Sequence, residues 1–247
     1  MARYDFSAPR LHVEGDLAAG SAVPLTKDQA HYLTNVLRLC NGDAVLAFNG
    51  RDGEWRCALE GRKAHAALVP GEMTRPQPAV PPLHLLFAPL KHARLDYMVQ
   101  KAVEMGAGVL QPVITRRTQA ARVNEERMRA NAVEAAEQCG ILHVPEVRSP
   151  ARFDALLVGW DAARLMVFCD EDADVADPLA ALRGAPRGPA AVIIGPEGGF
   201  DEGERVALLA LPRRLRLSLG PRILRADTAA VAALALVGAV LGDIGAE

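Results

Sequence analysis

Aromatic side chains are scarce in this sequence. Six Phe, three Tyr and two Trp are spread over 247 residues, so Ala, Leu and Val must fill the core, and Trp55 and Trp160 read as packing residues. Cysteine is scarce too. Cys40, Cys57, Cys139 and Cys169 are widely spaced with no C-x-x-C pair, which argues against a disulfide framework or zinc site and fits a reducing cytoplasm. No sign of charge is in excess: the formal net charge is −2, which excludes a wholesale nucleic-acid coat but not a local basic patch. The first residues, Met1-Ala2-Arg3-Tyr4-Asp5-Phe6, lack the apolar core of a signal peptide. The longest apolar run, 229–241, is too short and too rich in alanine to span a bilayer and reads as a buried helix. The acidic stretch Asp170-Glu171-Asp172-Ala173-Asp174 lacks calcium-loop spacing and reads as a solvated loop.

What is present is a chain half apolar by composition, with enough such residues for a real core. One proline-rich stretch, 70–82, opposes regular structure and marks a domain boundary. Before it, Asn41-Gly42-Asp43 and Asn49-Gly50-Arg51-Asp52-Gly53 punctuate short apolar runs in the manner of hairpins. A helix is predicted at 28–39, with Thr26 as N-cap. Residues 1–72 thus read as a small β-barrel with one helix, 73–82 as a linker, and 83–247 as a second domain.

In the second domain, strand-like and helix-like runs alternate. Strands are predicted at 83–88, Val109–Ile114, Leu165–Cys169 and Ala190–Ile194, with helices at 93–105 and Glu125–Cys139. Alternation of this kind implies a parallel sheet flanked by helices, with ligands bound beyond the carboxyl ends of strands. Two glycine-bearing turns fall there: Ile194-Gly195-Pro196-Glu197-Gly198-Gly199-Phe200, and Leu217-Ser218-Leu219-Gly220-Pro221-Arg222-Ile223-Leu224-Arg225-Ala226-Asp227-Thr228. Such turns let main-chain groups approach a ligand closely. At adjacent strand ends they would form a cleft for a flat, polar molecule. An isolated glycine cluster is more often a plain strand-to-helix turn. Here Asp201, Glu202 and Glu204 suit the first turn of a following helix and would repel phosphate. There is neither a P-loop Lys-Ser/Thr nor G-x-G-x-x-G spacing, so a nucleoside without phosphates fits better than NAD or ATP.

These two turns, together with Gln100-Lys101-Ala102-Val103-Glu104-Met105-Gly106 and Glu134-Ala135-Ala136-Glu137-Gln138-Cys139-Gly140, resemble the bacterial 16S rRNA (uracil-N3)-methyltransferase family, of the SPOUT class. The likeness extends to His31-Tyr32-Leu33 and Val36-Leu37-Arg38. It implies a PUA-like barrel followed by an α/β domain with a deep trefoil knot, binding S-adenosylmethionine and acting as a homodimer on the small ribosomal subunit. By position, the resemblance implies a cofactor pocket of Ile194, Gly195, Pro196, Glu197, Gly198, Leu217, Ser218, Leu219, Gly220, Ile223 and Leu224, with Thr228 closing one side. Two departures stand out. Asp227 occupies a place where the family commonly has Glu, and Ile141 one where many relatives carry Arg; His143, nearby, reads as a surface histidine.

Arg225 is the expected catalytic cation. Uridine N3 becomes a nucleophile when it loses its proton, and a guanidinium facing O2 and O4 would stabilise the charge that develops. The rival reading is a structural arginine paired with Asp227 or Glu197, and those two carboxylates are also the candidate bases. Methyl transfer from a sulfonium requires no metal. The tract Arg116, Arg117, Arg122, Arg127, Arg129 and the group Arg213, Arg214, Arg216, Arg222 suit RNA phosphates or solvated ion-paired faces. Arg3, Arg10, Arg38 and Lys63 are similar candidates in the first domain, whereas Lys91 and Arg94, like Arg10, suit plain solvent-facing positions equally. The function expected is methylation of uridine N3 in 16S rRNA by a cytoplasmic enzyme. The alternatives are a non-catalytic RNA-binding or assembly factor of the same fold, and a SPOUT enzyme with another RNA target.

Overall fold

The computed structural model describes residues 7–244 apart from 62–64, 120–121, 171–172 and 174–176. Arg3 and Lys63 lie outside the described residues. The chain divides into two compact units, 1–79 with 136–144, and 80–135 with 145–247.

The first unit is built on a five-stranded sheet. Its strands are β1 (Arg10–His12), β2 (Val23–Pro24), β3 (Ala44–Phe48), β4 (Glu54–Glu60) and β5 (Ala67–Arg75), in the order β1-β3-β4-β5-β2. Between β2 and β3, helix α1 (Lys27–His31) starts at a capping box, where the Thr26 side chain accepts from the Gln29 N–H and the Gln29 side chain accepts from the Thr26 N–H. It continues as a wider π turn, Tyr32–Val36. Leu33, Val45, Leu59 and Leu68 form the centre of the core, and Trp55 packs against it. β5 runs on to Arg75, so 73–75, expected in the linker, complete a strand.

Ion pairing inside this unit corrects one expectation. Arg10 is buried, and its Nε donates to Glu54 Oε2 at 2.9 Å. Arg75 reaches the same carboxylate through Nη2 at 2.5 Å and the Gly140 carbonyl through Nη1 at 2.9 Å. A buried carboxylate must have such partners, so Arg10 is committed to Glu54 rather than to RNA. Glu137, from one of the motif segments, accepts the His12 main-chain N–H at 2.8 Å. His143 is buried, not on the surface, and burial pulls its pKa down.

The second unit is a parallel sheet between helices. It holds β6 (Leu83–Phe87), α2 (His92–Glu104), β7 (Val109–Ile114), α3 (Glu125–Cys139, whose last residues belong to the first unit), β8 (Glu146–Val147), β9 (Ala151–Arg152) and α4 (Phe153–Val158). Then follow β10 (Leu165–Cys169), α5 (Pro178–Arg183), β11 (Ala190–Ile194), α6 (Glu202–Leu209), β12 (Arg214–Leu217) and α7 (Ala226–Val240). The order is β12-β10-β11-β6-β7-β8, every pair parallel, with β9 beside β7. Strands β10 and β11 are apolar throughout because helices cover both faces. One face packs Leu86, Met166, Phe168 and Ile193 with Phe153 of α4 and Leu208 of α6, and Trp160 lies against this cluster. On β11, α7 also packs, and α2 packs on α7. No described helix is long and apolar enough to cross a membrane.

Candidate active site

The sheet order changes how the two glycine turns meet. They follow β11 and β12, which are not neighbours: β10 lies between them. The turns therefore flank the carboxyl end of β10, and Phe168, Cys169 and Asp170 line the cleft between them. The cleft has a volume of about 510 Å³. Of the residues expected there, Ile194, Gly195, Pro196, Glu197, Leu217, Leu219, Gly220, Ile223 and Leu224 line it; Gly198, Ser218 and Thr228 are not among its walls.

Three features fit this cleft to a flat, polar ligand. Leu217, Leu219, Ile223 and Leu224 give it aliphatic walls. Among the described residues, the main-chain N–H and C=O groups of Leu219, Ile223 and Leu224 have no intramolecular hydrogen bond, so they are open to a heterocycle edge. Gly220 adopts φ +94°, which takes its backbone where a side chain is strained. Gly195 serves a different purpose. A Cβ there would stand 2.8 Å from Cε2 of Phe200, whose ring meets Phe168 edge-on with centroids 5.3 Å apart. The glycine admits the Phe200 ring to the site wall.

Asp170, expected in a solvated loop, is buried at the floor. Its Oδ2 accepts from Arg216 Nη2 at 2.8 Å and Arg205 Nη2 at 3.1 Å. Arg216 is thereby a structural partner. Cys169 beside it is pushed up to about 12 by burial and by Asp170, so it is a neutral thiol.

The rim is organised by a residue that sequence reading left on a plain surface. Arg94, in the first turns of α2, donates through Nε to Asp227 Oδ2 at 3.0 Å and through Nη2 to Asp227 Oδ1 at 3.1 Å. Its Nη1 donates to Glu197 Oε1. One guanidinium thus ties α2 to both glycine turns. Asp227 lies below its ordinary value because of these hydrogen bonds from Arg94, and Arg94 is raised by the same contacts. Both carboxylates proposed as partners of Arg225 are taken by Arg94. Arg225 is exposed, N-caps α7 through its backbone, lines the cleft, and meets no carboxylate among the described residues.

The remaining arginines divide. Arg117 donates to the Gly198 carbonyl at 2.6 Å and Arg222 is exposed, and both line the cleft. Arg116 is exposed but paired with Asp201 at 3.0 Å, while Arg127 and Arg129 pair with Asp96 and Glu125. Arg122 and Arg38 are exposed.

The comparisons with known proteins concern nearly the whole chain. A family model described as RNA methyltransferase domain matches residues 76–238, and one described as RNA methyltransferase PUA domain matches 25–69. A ribosomal RNA small subunit methyltransferase E from Rickettsia conorii is 30% identical, over 92% of this chain and 94% of its own. The chain belongs to this RNA methyltransferase family. Two solved structures share its fold with TM-scores of 0.82, each over 96% of this chain and 99% of its own. One is a putative methyltransferase from Legionella pneumophila in complex with its cofactor SAM, 28% identical. The other is a ribosomal RNA small subunit methyltransferase E from Neisseria gonorrhoeae bound to S-adenosyl methionine, 26% identical. The family's fold is the mixed α/β domain with a parallel sheet preceded by a PUA-like domain, as described above.

Proposed function

We propose that this chain methylates N3 of a uridine in 16S rRNA of the small ribosomal subunit, with S-adenosylmethionine held between the turns after β11 and β12. The observation that carries the reading is the division of labour at the rim: Arg94 holds Asp227 and Glu197, and Arg225 stands over the same cleft without a carboxylate. A structural arginine would be paired; an arginine kept for substrate would not.

When bound, S-adenosylmethionine supplies a methyl group already activated on a sulfonium. Leu217, Leu219, Ile223 and Leu224 would hold its adenine, the free main-chain groups of Leu219, Ile223 and Leu224 would offer it hydrogen bonds, and Glu197 would tolerate the positive sulfur. Arg225 stabilises negative charge on O2 and O4 of the uracil as N3 loses its proton. Asp227 is a poor proton acceptor because Arg94 holds it ionised and low. Glu197 is held by Arg94 through Oε1 alone and keeps Oε2 without a partner among the described residues, so of the two carboxylates it is the one we assign to take the N3 proton. Arg117 and Arg222 at the rim meet flanking phosphates. The knotted crossing and the homodimer implied by the family resemblance complete this reading, as does an RNA-docking role for residues 1–72 and a cytoplasmic location.

The test uses small subunits from a strain lacking the gene. After incubation with the protein and S-adenosylmethionine, 16S rRNA fragments are weighed, and one uridine-containing fragment should gain one methyl group. Cofactor binding by calorimetry with no methylated fragment overturns the target; no cofactor binding overturns the enzyme.

A further inference from the structure

The first unit carries one strained residue, and it is not a glycine. Arg38 adopts φ +59°, the sole non-glycine in the left-handed region among the described residues. It sits where the turn after α1 closes: the Leu37 N–H bonds the Tyr32 carbonyl at 2.9 Å, and the Leu39 N–H bonds the Leu33 carbonyl at 2.9 Å. This closure normally takes glycine, because a side chain in that conformation is strained. Arg38 does not recover the cost by packing. It is exposed and makes no hydrogen bond or ion pair among the described residues.

The turn itself is unusual. Thr34 Oγ1 donates to the Ala30 carbonyl at 2.7 Å, which competes for an ordinary helical acceptor and widens the turn. An i to i+5 turn sets Tyr32 on the same side as Val36 and Leu37. All three are exposed, at 41%, 58% and 37%, whereas Leu33 between them is fully buried. An aromatic ring, two aliphatic side chains and an unpaired guanidinium are thus all exposed within this one turn and its closure.

We propose that this surface is an RNA contact, in which one unstacked base lies on Tyr32 between Val36 and Leu37 and the adjoining phosphate meets Arg38. The proposal rests on the RNA-modifying function proposed above. Stacking on an aromatic ring beside a cation is the general chemistry of single-stranded RNA recognition. A residue that strains the free protein and touches nothing in it is retained for something outside it. The acidic side chain nearest to it in the chain, Asp43, spends Oδ2 on the Cys40 N–H at 2.7 Å and forms no ion pair with Arg38.

The decisive variant is Arg38→Gly, since glycine relieves the strain while removing the charge. Its melting temperature should equal or exceed the parent's, while its dissociation constant for small ribosomal subunits rises about tenfold and the slope of log affinity against log salt falls by about one. Tyr32→Ala should weaken binding by about tenfold or more, with Tyr32→Phe restoring most of it. Parent-like binding by Arg38→Gly at every salt concentration overturns the contact. So does a change in mass by light scattering in either variant, which marks the patch as a protein interface. A parent that binds no small subunits sinks the proposed target together with this contact, whereas a parent that binds beside an indifferent Arg38→Gly sinks the contact alone.

Discussion

Arg94 grips Asp227 with two parallel hydrogen bonds, at 3.0 and 3.1 Å, across 133 residues of sequence. A bidentate guanidinium–carboxylate pair fixes geometry as well as charge. Here it fixes the first turn of α7, and with it the backbone of Arg225. Arg94→Lys keeps the charge and loses the fork, so kcat should fall about tenfold or more with little change in cofactor affinity. A calorimetric titration beside single-turnover methylation separates the two.

The same pair has a signed pH dependence. Asp227 is depressed below its ordinary value of 3.8 in the folded protein. Its contribution to stability is therefore fully present above that value and is lost as pH falls through the folded one. Thermal melts of the parent and Asp227→Asn should differ by a constant gap from neutral pH down to about 4, and the gap should close below it. A gap that widens on acidification contradicts the pairing.

Arg225→Ala should lower methyl transfer by about 100-fold, the scale of removing one donor to a developing oxyanion. Cofactor affinity should change little, because Arg225 is assigned to charge that forms only in the transition state. Parallel losses in both would place Arg225 in cofactor binding instead.

Two glycine substitutions should fail for different reasons. In Gly195→Ala the new methyl meets the Phe200 ring at 2.8 Å, and overpacking of this kind costs about 1–3 kcal/mol. Because Phe200 lines the cleft, cofactor affinity should drop as well. Gly220→Ala meets no atom within 4 Å but is held at φ +94°, so its cost is backbone strain, about 1 kcal/mol. Melting curves and cofactor titrations of the two variants distinguish collision from strain.

Thiol labelling reports on the floor of the cleft. Cys40 is exposed, whereas Cys57 and Cys169 are raised to about 11 and about 12 by burial. Alkylation at pH 8, followed by mass spectrometry, should modify Cys40 early and leave Cys57 and Cys169 thiols intact until the protein unfolds. Early loss of Cys169 would show that the floor opens.

Much of the chain could be read locally because its elements are locally encoded. Strands Val109–Ile114, Leu165–Cys169 and Ala190–Ile194 and the helix Glu125–Cys139 follow from apolar runs and periodicity. α4 and α5 were not foreseen: at six residues each they are too short for a clear period. Arg10 and Arg94 look alike in sequence, one arginine among solvated candidates each, and only the distant Glu54, Glu197 and Asp227 decide what they do. Asp170 was legible as acidic but not as buried, since Arg205 and Arg216 approach it from α6 and β12.

The sequence by itself determined the strand–helix alternation, the two main-chain turns and the identity of the family, because glycine spacing and apolar runs are local properties of the chain. Tertiary structure alone decided that β10 separates those turns, that Asp170 closes the floor and that Arg94 rather than Arg225 pairs with the rim carboxylates. Strand order and ion pairing join residues far apart in sequence, and a charge declares its partner only when folding removes the water between them.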